Sequence, residues 1–87
     1  MSAGWYTVLC MYLTGTETIY DDLWSTATYH RTSGQYTVSY RTDVDERLVD
    51  NVWNHLPVEK LLVVDQYFDK KLDREVVILE RDPNAKA

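Results

Sequence analysis

The side chains able to do covalent or metal chemistry are few and scattered. One cysteine, Cys10, and two histidines, His30 and His55, stand in a chain of 87 residues. Cys10 lies inside the apolar run W-Y-T-V-L-C-M-Y-L, where a thiol reads as inert core rather than as a nucleophile. No G-x-S-x-G elbow and no cysteine loop at a helix start accompanies it. The three candidate metal ligands show no ligand spacing. Asp21-Asp22 and Asp43-Val44-Asp45-Glu46 are acidic pairs able in principle to hold a divalent cation, but the first reads as a polar turn. The second reads as a helix N-terminus, where carboxylates favour the dipole. Asp65 sits among Val64, Tyr67 and Phe68, and is expected to point outward and pair with a cation such as Arg74 or Lys60. Three scattered glycines cannot build a phosphate loop. The expectation is therefore a protein that is not an enzyme and has no cofactor and no metal site.

The remaining chemistry is that of surfaces. The chain carries seven Tyr, three Trp and one Phe, side chains that join an apolar body to a polar tip. Fourteen acids against nine bases give a formal charge of -5. Residues 1–42 hold three acids and two bases, while residues 43–87 hold eleven acids and seven bases. Phosphate backbones repel such a chain, and the aromatic half offers only Arg31 and Arg41 beside its rings, so direct nucleic-acid binding is not expected. A basic protein surface would attract it. The acids of the second half are interleaved with Lys60, Lys70, Lys71, Arg74 and Arg81, which dilutes any imitation of a phosphate backbone.

The elements that must position these groups follow from hydrophobic periodicity. Residues 4–13 are apolar on both alternating faces and rich in aromatic and β-branched types, which predicts a covered strand ended by Thr14-Gly15-Thr16. Residues 18–22 read as a bent entry to a strand over residues 23–30. Thr32-Ser33-Gly34 turns the chain into a cleanly alternating strand over residues 35–41, with Tyr36, Val38 and Tyr40 on one face. Residues 43–56 predict a helix: Asp43 caps it, Glu46 completes a capping-box pattern, and Val44, Leu48, Val52 and Leu56 form a stripe broadened by Val49 and Trp53. Pro57 ends it. Residues 61–68 and 75–81 read as two strands joined by a polar loop, with a helix over residues 57–71 as the alternative.

The expected fold is thus α+β: a single small domain over residues 1–82, with an antiparallel sheet of about five strands in the order β-β-β-α-β-β and one helix on one face. Residues 83–87 form a frayed tail. One helix cannot cover five strands, so the other face should be aromatic and solvent-facing or buried on a second chain. A single cysteine, no basic leader and no apolar run long enough for a bilayer predict a cytoplasmic protein without membrane contact.

This profile, tiny, acidic, aromatic and motif-poor, resembles in composition that of many small phage and mobile-element proteins that block host machinery, anti-CRISPR and anti-restriction proteins among them. The likeness implies an inhibitor or modulator of a larger protein, itself basic or nucleic-acid-binding. Trp24, Tyr29, Tyr36 and Tyr40 are the expected aromatic patch, and Asp45, Glu46 and Asp50 the expected steering charges. A homo-oligomer, such as a dimer, joined through aromatic sheet faces is the alternative, with a structural or small-ligand-binding role.

Overall fold

A computed structural model describes residues 15–84. The expected first strand, over residues 4–13, lies outside them. Among the described residues, five strands form one fully antiparallel sheet: β1 (Thr16–Asp21), β2 (Ser25–His30), β3 (Gln35–Tyr40), β4 (Leu61–Asp69) and β5 (Arg74–Arg81). They lie in the order β1-β2-β3-β5-β4. The fold is the expected small α+β domain, with two corrections at its start. The segment read as a bent entry is itself the edge strand β1, and it bends because the register slips between Thr18 and Tyr20. The strand expected from residue 23 begins at Ser25, because Asp22 takes Leu23 and Trp24 into a tight turn. The helix over residues 57–71 is excluded, since β4 fills most of that stretch and a short 3-10 turn (Val58–Lys60) precedes it.

Between β3 and β4 the expected helix exists in shortened form. A single α-turn, α1 (Glu46–Val49), runs on as a 3-10 helix, Asp50–His55. Asp43 does not cap it; its carboxylate holds the Arg41 guanidinium at 2.9 and 2.6 Å. Asp45 takes the cap, accepting the Arg47 N–H at 2.9 Å. The tighter 3-10 winding turns the predicted stripe: Val49, Val52 and Leu56 are buried while Leu48 is exposed. The core joins Val52 and Leu56 to Ala27, Val38, Val77 and Leu79, one apolar residue or two from each of the three inner strands.

Alternation then assigns the two faces. Tyr29, Tyr36 and Tyr40 share the face of Ala27 and Val38, so the aromatic residues of β2 and β3 lie on the helix side and not on the opposite face. Among the described residues the opposite face carries hydroxyls across β1 to β3, Thr18, Thr26, Thr28, Thr37 and Ser39. Arg74 crosses this face, donating to Thr26 Oγ1 at 3.3 Å, Ser39 Oγ at 3.4 Å and the Leu23 carbonyl at 3.2 Å. It is therefore not the partner of Asp65, whose carboxylate accepts the Gln66 N–H.

Gly34 closes the β2–β3 hairpin at φ +73, with no atom near the position a Cβ would take. Gly34→Ala meets no clash but incurs the left-handed backbone penalty, and should destabilise the domain by about 1–2 kcal/mol in urea denaturation.

Candidate functional site

Two grooves open on the helix side, one at each end of the helical segment. The first lies between the β1–β2 turn and the helix and has a volume of about 370 Å³; Trp24, Asn51, the carboxylates of Asp22 and Asp50 and one cation, Arg47, are among its lining. Its floor is a hydrogen-bonded hub. The Asp22 carboxylate accepts the backbone N–H of Trp24 and of Ser25, each at 2.8 Å, and the Ser25 hydroxyl at 3.2 Å. The Tyr20 hydroxyl donates to its second oxygen, and Asn51 Nδ2 donates to that hydroxyl at 3.2 Å. Desolvation pushes the Asp22 carboxyl up, but these donors together outweigh it and hold the pKa below its ordinary value. The same bond, seen from the phenol, raises the Tyr20 pKa. Trp24 thus stands on a backbone fixed by Asp22, beside a carboxylate that stays ionised.

The second groove, also about 370 Å³, has the opposite sign. Tyr29 and Tyr36 form one wall, with ring centroids 4.8 Å apart, and Lys60 and Arg81 lie opposite beside Pro57 and Leu61.

The four expected patch residues therefore do not form one patch. Trp24 lines the acidic groove and Tyr29 and Tyr36 line the basic one. Tyr40 packs edge-on against Trp53 at 6.3 Å, where burial first and the Glu75 charge second raise its pKa. Of the expected steering charges, Asp50 faces the Trp24 groove. Asp45 is held by its own cap and by Arg47 at 3.0 Å, which lowers its pKa; Glu46 lies exposed in the first turn.

His30 Nε2 lies 2.8 Å from Thr37 Oγ1, on the hydroxyl face. His55 stacks on Tyr20 at 4.5 Å with its Nδ1 3.0 Å from the Asn51 carbonyl. Among the described residues no three His, Cys, Asp or Glu side chains converge as a metal site would require. No described helix is long and apolar enough to cross a membrane.

Sequence reasoning missed two features. Asp22 looked like half of an acidic pair, and only the sequence D-x-x-S, an Asx-turn spacing, signalled its role. The other is the exposure of β4: its place at the sheet edge among the described residues leaves no mark in its own sequence.

The chain matches no protein-family model, and no curated protein or solved structure matches it either.

Proposed function

We propose that this protein is a non-enzymatic protein-binding module that takes a basic segment of a larger protein into the Trp24 groove, acting there as an inhibitor or modulator. The supporting observation is the pairing, in one groove, of an indole on a fixed backbone with the carboxylates of Asp22 and Asp50. An indole face attracts a Lys or Arg cation, the Asp50 carboxylate accepts its hydrogen bonds, and the charge of Asp22 adds attraction from beneath. Asn51 and Asn54 add neutral donors and acceptors for a peptide backbone. The chain's net charge of -5 steers such a partner toward the surface before it docks.

Amide-resolved NMR titration with an arginine- and lysine-rich peptide tests this. The Trp24 indole N–H should shift first and saturate. Trp24→Ala should weaken binding at least tenfold, as truncation of a central aromatic anchor does. Asp50→Lys should slow association and flatten its salt dependence. A peptide that shifts only the Tyr29 and Tyr36 resonances, or association kinetics unchanged in Asp50→Lys, removes the basis for this reading.

A further inference from the structure

We propose that the groove walled by Tyr29 and Tyr36 binds a small molecule that joins a flat aromatic ring to a phosphate monoester, the chemistry of a free mononucleotide. The first reason is charge. The chain carries fourteen acids and a formal charge of -5, yet no Asp or Glu lines this groove, while Lys60 and Arg81 both do. Among the described residues the ion pairs are Arg41 with Asp43 and Arg47 with Asp45, so neither groove cation is neutralised by a carboxylate. The acids that flank Arg81 are turned elsewhere. Glu80 stands between Gln35 and Leu62 and lies on the other face of the sheet by alternation. The Asp82 carboxylate accepts the Asn84 N–H at 2.8 Å. A phosphate monoester, with about -1.5 to -2 charges at pH 7, matches two such cations better than the single charge of a carboxylate does.

The second reason is that the backbone holds both cations in place. The register sets Tyr36 opposite Leu79 and Arg81 opposite Leu61, so Arg81 follows Leu79 by two residues on the same face and is a diagonal neighbour of the Tyr36 ring. The Lys60 N–H donates to the Pro57 carbonyl at 2.9 Å, and the Lys60 carbonyl accepts the Asp82 N–H at 2.8 Å. Lys60 is thus tied to the residue after Arg81, and the two cations issue from adjoining backbone. A guanidinium fork grips two phosphate oxygens at once, and an ammonium serves a third as a point charge. The third reason is shape. Tyr29 and Tyr36 stand directly opposite each other in the β2–β3 ladder, with ring centroids 4.8 Å apart, and form a wall on which a flat ring stacks. Gly34 lines the same groove without a side chain to fill it, and a Cβ there would meet open space. A volume of about 370 Å³ suits one ring with its phosphate, at the lower end of small-molecule sites. A nucleic-acid strand is a worse occupant, because every further phosphate meets a chain of net charge -5.

Titration of the full chain with adenosine monophosphate, followed by amide and aromatic NMR, tests this. The Tyr29 and Tyr36 ring resonances and the Gly34 amide should shift and saturate together, with a dissociation constant of about 0.1 mM, while the Trp24 indole N–H stays unmoved. Adenosine alone and inorganic phosphate alone should each bind at least about tenfold more weakly, since each meets only one wall of the groove. Lys60→Gln and Arg81→Gln change exposed side chains, so the circular dichroism spectrum should be kept. Each should weaken the nucleotide about fivefold at low salt. Tyr29→Leu should weaken the nucleotide about fivefold and leave the affinity for inorganic phosphate unchanged. Failure to saturate at millimolar nucleotide overturns the proposal, and so does an affinity indifferent to both Lys60→Gln and Arg81→Gln. Inorganic phosphate binding as tightly as the nucleotide overturns it too, because the rings then recognise nothing. A single-stranded oligonucleotide that binds more tightly than the mononucleotide overturns the choice of a small molecule. None of these outcomes bears on the Trp24 groove, which lies at the other end of the helical segment and takes a cation.

Discussion

Asp22→Ala is expected to lower the unfolding free energy by about 2–4 kcal/mol in urea denaturation, far more than truncation of an ordinary turn aspartate. The substitution orphans four donors at once: the Tyr20 hydroxyl, the Trp24 and Ser25 N–H groups and the Ser25 hydroxyl. Ser25 is fully buried, so its hydroxyl has no access to water as a substitute. Asp22→Asn keeps one accepting oxygen and should lose about half as much.

The pH dependence carries a signature of the same hub. The folded pKa of Asp22 is depressed below the unfolded value of about 3.9. Its contribution is therefore complete above that value and is lost as pH falls through the folded pKa. Asp43 and Asp45, depressed by hydrogen bonds from Arg41 and Arg47, add to the same acid limb from the surface. Tyr20 behaves oppositely. Its folded pKa is raised, chiefly by the bond to Asp22, so its contribution is complete below the unfolded value of about 10 and is lost as pH rises through the folded one. Thermal midpoints should be level from about pH 5 to pH 9 and fall on both sides. Asp22→Ala should make both limbs shallower together, because it removes the depressed carboxyl and the bond that raises Tyr20; a variant that changes neither limb contradicts the hub.

Val52→Asp is expected to unfold the helical segment and, with it, the domain, at a cost of about 3–5 kcal/mol. Val52 is wholly buried in the cluster with Ala27, Val38, Leu56, Val77 and Leu79, where a carboxylate finds no cation. The segment cannot survive alone. α1 is a single turn, the 3-10 stretch is short, and isolated helices need about 12–15 residues even to be marginal. For a chain of 87 residues the total stability is about 4–13 kcal/mol, so the loss is a large share of it. The near-ultraviolet circular dichroism of the Tyr40–Trp53 ring pair should vanish in the same transition that abolishes the far-ultraviolet sheet signal. Loss of the helical signal with the sheet intact would make the segment an independent appendage.

Local chemistry was legible. Gly34 and the alternation of residues 35–41 specified the β2–β3 hairpin because a left-handed turn position and a two-residue period are properties of the chain itself. The apolar positions Val52 and Leu56 announced the buried side of the helical segment for the same reason. The candidate site was legible only in its residue types. Trp24 and Asp50 were readable as an aromatic anchor and a charge, yet nothing in their spacing says that one groove holds both, with Asp22 beneath.

Fold class, the β2–β3 hairpin and the negative charge the molecule presents are thus written in the order of its residues. Which neighbour each strand takes emerges only when the elements pack. Inserting β5 between β3 and β4 buried Val76, Val77 and Leu79 and left the equally apolar β4 at the rim. Packing also turned Tyr29, Tyr36 and Tyr40 toward the helix, and it replaced the regular helical winding by a 3-10 one so that Val49 rather than Leu48 met the core. The cause is that burial is a property of pairs of elements. Periodicity records that a side chain can be buried, and only the packing partner, chosen across tens of residues, determines whether it is.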